Sequence, residues 1–256
     1  MCSVSWLVDS DGYQVFFNRD EQKSRALALP PARLSINDTD VLMPIDPVGQ
    51  GSWISLNEFG MTLCLLNNYQ GQVPEGKLIS RGQLLKTLSC EVGVKQVKRT
   101  FVALDLQHYA PFTLLAFDPS LSASCSEVMA FSWDGRHCTI APTDSPLFSS
   151  GVDLENVLNY RNGLYQALTQ ADKSFAQLLQ FHTSHHPEHT HMSPCMHRDD
   201  AQTVSFTYVK VSALREENSR DQVMAYVPGS PCRSQLSAGS LKQHSYRLHR
   251  AELLAS

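Results

Sequence analysis

The length, composition and charge of the chain favour one domain in the cytoplasm. Its 256 residues are 42% hydrophobic, enough to bury a sizeable core, so we predict a single domain over 1–256. A formal net charge of -4 disfavours nucleic acid or an anionic membrane surface as a partner. The seven cysteines include no C-x-x-C pair, so a reducing compartment fits better than a disulfide framework or a zinc ribbon. No signal-peptide pattern opens the chain, and no apolar run approaches the roughly 18 residues of a membrane helix.

The first predicted element is a β-hairpin that directly follows Cys2. Residues 3–8 and 13–17 have the pattern of strands, with turn-forming residues at 9–12 between them. If the initiator methionine is removed, which the small side chain of Cys2 permits, this residue carries both a thiol nucleophile and an α-amino group that can act as its base. That pairing is typical of an N-terminal nucleophile hydrolase. The alternative is that Cys2 has no role, since most cysteines behave as small buried hydrophobes.

A connection, a second hairpin and a helix are predicted next along the chain. Residues 24–50 are rich in proline and polar side chains and are predicted to form a long surface connection. Apolar runs at 52–56 and 61–66 predict the second hairpin. Ser80 is a candidate N-cap for a helix whose apolar residues recur over 84–97.

The second half of the chain is predicted to contain strands and helices in separate blocks. Strands are predicted at 112–117, 127–133, 138–140, 203–211 and 222–227, and helices at 152–170 and 174–182. The helical pattern is broken at Asn162-Gly163, charged residues at 215–217 separate the last two strands, and 229–256 is a segment of uncertain order. Blocks without regular βαβ alternation favour an α+β fold with antiparallel sheets covered by helices.

Four short motifs carry a family resemblance. Met1-Cys2, Asn-Arg-Asp-Glu at 18–21, Gly-Ser-Trp-Ile at 51–54 and Leu-Asn-Asn-Tyr at 66–69 resemble the NRDE family, which includes the transport and Golgi organisation protein 2 homologues. Serine and asparagine here replace threonines of the last two family motifs. The segment 195–205 is also similar to part of the penicillin acyltransferase-like proteins. The resemblance implies a four-layer αββα sandwich of the N-terminal nucleophile hydrolase type.

The hairpin and the resemblance together indicate three catalytic candidates around the chain start. Cys2 is the nucleophile, and Arg19 at the end of the paired strand can lower the thiol pKa or bind a substrate oxygen pair. A surface ion pair with a neighbouring acid is the alternative role of Arg19. Asp20 resembles the aspartate that orients the N-terminal amine in choloylglycine hydrolases. Because adjacent residues of a regular strand face opposite ways, both reach Cys2 only where the strand ends or bulges.

The fourth catalytic candidate is Asn68, whose position resembles that of an oxyanion-hole asparagine in related hydrolases. A turn asparagine is the alternative. A second oxyanion asparagine is not evident, because serines occupy 149–150, where we expect it. The candidates for substrate binding are Asn18, Tyr69 and Arg198, although acidic neighbours can neutralise the last. Trp53 is interpreted as packing.

A histidine-rich run suggests metal binding but lacks the necessary geometry. Its members are His182, His185, His186, His189, His191 and His197, with Cys195 nearby. Pro187 breaks the helix that a pair of histidines four residues apart requires, and no second cluster completes a tetrahedral site. We therefore expect a loop that borders the pocket, with neither a metal nor a cofactor.

These observations predict a cysteine-type amidohydrolase or acyltransferase that acts on a small amide or acyl compound. Two alternatives use the same fold without turnover. One is a non-catalytic carrier for an acyl-CoA, a lipid or haem, and the other is a scaffold in a trafficking or secretion pathway. The substrate stays open, because loops set the specificity of the pocket in this fold. The oligomeric state stays open as well.

Overall fold

Two antiparallel β-sheets face each other in the computed structural model, which describes residues 2–213 and 221–248. From edge to edge, the first sheet contains β10 (Leu147–Ser149), β1 (Cys2–Asp9), β2 (Gly12–Gln22), β11 (Ala201–Ser212), β12 (Gln222–Pro228) and β13 (Ser245–Leu248). In the same manner, the second contains β3 (Leu29–Ile36), β4 (Thr39–Ile45), β5 (Ile54–Asn57), β6 (Thr62–Asn67), β7 (Phe112–Phe117), β8 (Val128–Trp133) and β9 (Cys138–Thr143).

Helices cover the outer face of each sheet. They are α1 (Arg81–Leu88), α2 (Val94–Val102), α3 (Leu154–Thr169), α4 (Phe175–Thr183) and α5 (Ala238–Gln243). The first two bury their apolar residues against the second sheet, and the other three cover the first sheet. The result is the predicted four-layer αββα sandwich. Among the described helices, none combines the length and apolar character needed to cross a membrane.

Side-chain alternation along β1 explains why the sheets pack on both faces. Val4 and Trp6 point into the apolar layer between the sheets, whereas Ser5 and Leu7 point toward the helices. Both sets are buried, so the strand has no solvent-exposed face until its last residues. This two-sided burial holds the start of the chain in a fixed position.

The predicted connection over 24–50 is wrong, because most of it forms the hairpin of β3 and β4. Asn37 and Asp38 make the turn with φ angles of 48° and 61°, a conformation that these two residue types tolerate well. Pro30 and Pro31 lie in β3, which is the edge strand of its sheet. An edge strand tolerates proline because half of its backbone groups need no partner in the sheet.

The predicted helix break at Asn162-Gly163 is also wrong. α3 continues through it, because Val157, Arg161 and Tyr165 recur every four residues and keep one face buried. The gap between α3 and α4 lies at 170–174, where the predicted bounds of the two helices placed it. The pattern over 84–97 likewise produces two helices, and Ser80 precedes the first without a side-chain capping bond.

The remaining predicted strands all form, with longer bounds in the first sheet. The three-residue strand β10 was not predicted, since three residues are too few to show a period. Of the uncertain segment 229–256, the described part forms a short 3₁₀ turn, α5 and β13. The charged residues 215–217 and the last eight residues lie outside the described part of the chain.

His182 on α4 is a fully buried histidine of the first sheet's helix layer. Its Nε2 lies 2.9 Å from the hydroxyl of Ser5, and the rings of Phe16 and Phe206 pack against it. Burial, with a smaller contribution from the charge of Arg161, lowers the pKa of His182 to about 3. The imidazole is therefore neutral in the folded protein.

We expect the folded state to lose stability on acidification through this residue. The unfolded chain binds a proton at His182 near pH 6.5 and the folded chain only near pH 3, so the free energy of unfolding falls as the pH drops through this window. The loss for this group between pH 7 and pH 4 is on the order of 3 kcal/mol. Urea unfolding at several pH values should show that the free energy of unfolding falls less steeply below pH 6.5 in His182→Gln than in the parent protein. An equally steep fall in the free energy of unfolding for the parent protein and for His182→Gln would assign the acid sensitivity to other groups.

Candidate active site

Cys2 lies inside the first sheet with a strand on each side. It pairs with Arg19 of β2 on one side and with Ser149 of β10 on the other. Residues directly opposite each other in a sheet project to the same face, so the three side chains share the face that looks toward the second sheet. Cys2 is 8% exposed and reaches an open cavity at this end of the sandwich.

The cavity has a volume of about 420 Å³ and is bounded by both sheets and by the loop before β11. Its polar side chains outnumber its apolar ones and carry both signs of charge. They include Arg19, Asp20, Glu21, Arg25, Asp46, Asn67, Tyr69, Arg81, Arg198 and Asp200. A site of this composition fits a small polar or charged compound better than an extended apolar chain.

Arg19 is held in place on the cavity side of β2. Its guanidinium stacks over the ring of Trp53, 4.2 Å from the ring centre, and its Nη2 donates to Glu21 at 3.1 Å. A second carboxylate oxygen, Oδ2 of Asp46, lies 3.9 Å from the same nitrogen. Trp53 thus packs as predicted and in addition orients the arginine.

Asp20 projects to the opposite face of β2, toward the helix layer. Its Oδ1 accepts a hydrogen bond from the hydroxyl of Thr203 at 2.6 Å, and its Oδ2 lies 3.7 Å from Arg161. The regular register fails on the partner strand, where β11 has an extra residue between Thr203 and Ser205. This bulge lies beside Arg19 and Asp20, and both residues line the cavity.

Arg161 of α3 is a fully buried charge that the sequence analysis did not identify. It donates to the Ser3 hydroxyl at 2.7 Å and to the backbone oxygens of Met192 and Ser193 at 3.0 and 2.9 Å. It therefore ties β1, the loop before β11 and Asp20 together. A single arginine within the apolar stripe of α3 is the sequence signal that would have indicated it.

Burial raises the pKa of the Cys2 thiol above its ordinary value, and the nearby carboxylate of Asp20 adds to the rise. The charge of the N-terminal amine opposes the rise most, followed by a backbone hydrogen bond from Asp20 and the charge of Arg19. Burial also raises the pKa of the Asp20 carboxyl, against the opposing effect of Arg161. The Cys2 thiol is consequently protonated near neutral pH, so any role as a nucleophile would require a base.

Asn68 lies just after β6, outside the main cavity. Its side-chain oxygen accepts the backbone N–H of Gln70 at 3.1 Å, which is the turn geometry named above as the alternative. It lines a smaller adjoining cavity of about 90 Å³. Asn67 and Tyr69 line both cavities, so the two are contiguous.

Ser149 contributes a buried hydroxyl beside Cys2. It is directly opposite Cys2 and also lines the smaller cavity with Asn68. Among the described residues its hydroxyl has no hydrogen-bond partner. A buried hydroxyl without a partner costs free energy, so a ligand atom is the natural partner for it.

The three predicted substrate-binding residues have different positions. Asn18 does not line the cavity, contrary to the prediction. It faces the helix layer and donates to the backbone oxygens of His182 and Pro194 at 2.8 and 2.9 Å. Tyr69 is at the cavity rim and is 44% exposed. Arg198 lines the cavity but forms a two-pronged pair with Asp200, at 2.9 and 2.5 Å.

Arg81 at the start of α1 is a further cavity cation that the sequence analysis did not single out. Its Nη1 donates to the backbone oxygen of Pro111 at 2.9 Å. Among the described residues, no carboxylate forms an ion pair with it, whereas Arg19, Arg25 and Arg198 each have one. Burial lowers the pKa of its guanidinium, which nevertheless stays charged.

Comparisons with known proteins relate this architecture to a family and a fold. The family model described as Transport and Golgi organisation 2 matches residues 1–232. No curated protein sequence matches the chain.

Three solved structures are similar to the chain. Penicillin V acylase from Agrobacterium tumefaciens has 11% identity and a TM-score of 0.51, over 89% of this chain and 83% of that one. The mutant C2A conjugated bile acid hydrolase from Clostridium perfringens has 13% identity and a TM-score of 0.54, over 98% and 92%. The Caenorhabditis elegans N-acylethanolamine-hydrolyzing acid amidase ortholog has 10% identity and a TM-score of 0.52, over 97% and 100%. At these identities the likeness establishes the N-terminal nucleophile hydrolase fold.

Replacing Arg161 should destabilise the protein strongly. Arg161→Met leaves the buried Asp20 without its cation, and such a loss typically costs about 3–5 kcal/mol. Chemical denaturation measures the change in the free energy of unfolding. Arg25→Met is the matched control, since it removes a partly exposed partner of Asp46 and should cost about 1 kcal/mol or less. Equal losses for the two variants would contradict the role given to Arg161.

Proposed function

The chain belongs to the Transport and Golgi organisation 2 family, and we propose that it is a cysteine-type N-terminal nucleophile amidohydrolase or acyltransferase for a small amide or acyl compound. The observation that carries the proposal is the position of Cys2 at the start of an inner strand, between β10 and β2, paired with Arg19 and open to a polar cavity. The name of the similar Clostridium perfringens hydrolase indicates that a cysteine stands at position 2 of that enzyme as well.

The first half-reaction makes an acyl-enzyme. With Met1 removed, the free α-amino group of Cys2 takes the thiol proton, and the sulfur forms a bond to the substrate carbonyl carbon. The amine has an ordinary pKa of about 7.7–8.0, so it is a suitable base near neutral pH. Asp20 orients the amine and Arg19 stabilises the developing thiolate. The amine then returns the proton to the leaving nitrogen as the C–N bond breaks.

The second half-reaction restores the thiol. Water attacks the thioester, the amine accepts a proton from that water, and the carboxylic acid leaves as the proton passes to the Cys2 sulfur. In acyl transfer, another nucleophile takes the place of water. Both half-reactions pass through a tetrahedral oxyanion that needs hydrogen-bond donors.

Asn68 and Ser149 are the donors that we assign to this oxyanion. The bond from Gln70 holds the side-chain oxygen of Asn68, which leaves its amide group to donate. The unpartnered hydroxyl of Ser149 supplies the second donor, in the region where an asparagine was expected. In this proposal the Ser149 hydroxyl takes the place of the second oxyanion asparagine.

Arg81 suggests that the substrate carries an anionic group. The other cavity arginines already have carboxylate partners, so a bound carboxylate or phosphate would find its strongest free partner at Arg81. An N-acyl amino acid is the simplest compound that combines an amide with such a group.

A non-catalytic carrier is the competing function. The raised pKa of the Cys2 thiol favours it, because a protonated thiol without a base does not turn over. The mostly polar cavity lining fits an acyl-CoA headgroup better than a lipid chain or haem. The scaffold role and the cytoplasmic location stay predictions.

Cys2 should be the most reactive thiol at neutral pH once Met1 is absent. Intact-mass analysis of the native protein should show loss of one methionine. Peptide mapping after limiting iodoacetamide should then find Cys2 labelled faster than the exposed Cys125, because only Cys2 has a built-in base. Cys64, buried in the core, should stay unlabelled. A retained methionine, or faster labelling of Cys125, would overturn the assignment.

Substitutions of Asn68 and Arg81 should change different steady-state constants on a panel of N-acyl amino acids and their methyl esters. Asn68→Ala should lower kcat about hundredfold with little change in KM, as for a donor that acts in the transition state.

Arg81→Gln should raise KM for the acids about tenfold or more and leave the esters unaffected. Arg198→Gln is the matched control, since its charge is already paired. A shared loss for acids and esters in Arg81→Gln would refute the anion site.

A further inference from the structure

We propose that Cys195, His197 and Cys232 form a binding site for a zinc(II) ion. The first two lie in the loop before β11, and Cys232 lies in the 3₁₀ turn after β12. Their two sulfurs and one ring nitrogen all lie within 4.8 Å of one another. The site is separate from the Cys2 nucleophile and does not depend on the proposed reaction.

The distances match those between ligands of one tetrahedral ion. Zinc bonds of about 2.3 Å to sulfur and 2.0–2.1 Å to nitrogen place a sulfur and a nitrogen ligand roughly 3.6 Å apart. The Nε2 of His197 is 3.7 Å from the sulfur of Cys195 and 3.2 Å from that of Cys232. The cluster therefore needs only small shifts to close around a metal.

Backbone hydrogen bonds preorganise the cluster. The N–H of Cys195 donates to the backbone oxygen of Ser184 at 3.0 Å, and the N–H of His197 donates to that of Thr190 at 3.0 Å. These bonds fold the loop back on itself and hold the two ligands side by side. Preorganised ligands lose little entropy when the metal binds.

The chemistry of the donors suits a borderline-soft ion. Two thiolates and a neutral imidazole are typical zinc ligands, and binding displaces the two thiol protons into solvent. The ring of His185 lies 4.5 Å from that of His197, and its Nδ1 is 3.1 Å from the Cys195 backbone oxygen. A water molecule would complete the tetrahedral ligand set.

The metal would fix one wall of the cavity described above. Met196 and Arg198 flank His197 in sequence and line that cavity. Zinc would thus hold the loop in the conformation that shapes the cavity. Cys232 lies 35 residues beyond His197 in the sequence and is the ligand that the histidine-rich run does not contain.

Cobalt(II) substitution tests the site in the full, tag-free chain, reduced and stripped with a chelator. One equivalent of Co²⁺ should produce thiolate-to-cobalt charge-transfer absorption, and one equivalent of Zn²⁺ should abolish it. Cys232→Ser and His197→Gln should each weaken Zn²⁺ binding at least tenfold, because each removes one of three ligands. Cys125→Ser, at an exposed cysteine outside the cluster, is the control and should bind like the parent.

Several outcomes would overturn the proposal. Cobalt bound without charge-transfer absorption would mean that only the histidine-rich surface binds metals. Unchanged Zn²⁺ affinity in both ligand variants would exclude the cluster. A Cys195–Cys232 disulfide as the main state of freshly isolated protein would make it a redox pair. Tight Cu⁺ binding that persists in His197→Gln, with weak Zn²⁺ binding in the parent, would assign the thiols to copper. Circular dichroism of each variant checks that the fold is intact.

Discussion

The pairing register of β1 is the constraint on which the rest of the site depends. The strand is inserted between β2 and β10, and both of its faces are buried, so a slip of one residue would move every apolar side chain to the wrong face. That register alone places Arg19 and Ser149 on either side of Cys2. A flexible chain start could not hold the Cys2 thiol in this way, because its ordering entropy would have to be overcome at each encounter with a ligand.

Buried charge behind the sheet supports this register. Arg161 bonds to β1 through Ser3, to the loop before β11 through two backbone oxygens, and to β2 through Asp20. Such a network is costly to desolvate, so its value lies in specifying one arrangement of the strands and the loop. The neutral, buried His182 belongs to the same layer, and its backbone oxygen accepts the bond from Asn18. The helix side of the sheet thus positions groups, while the opposite side presents them to the cavity.

Charge pairing within the cavity separates structural from available groups. Arg25 with Asp46 and Arg198 with Asp200 neutralise each other at the rim. Arg19 divides its interactions between Glu21 and the ring of Trp53. Arg81 is bonded only to a backbone oxygen among the described residues, so it is the cation best able to meet an anionic ligand.

The family resemblance implied the four-layer arrangement. The sequence by itself determined most of the strands and helices, because strand alternation, helical period and turn residues act over a few neighbouring positions. It thereby predicted the hairpin after Cys2, the antiparallel sheets and the cavity side of Arg19. Only the tertiary structure decided that prolines 30 and 31 lie in an edge strand and that Asn18 faces away from the cavity. It also decided the partners of Arg81 and the meeting of His197 with Cys232. These depend on which distant segments pack together, and no local period encodes a contact between positions far apart in the chain.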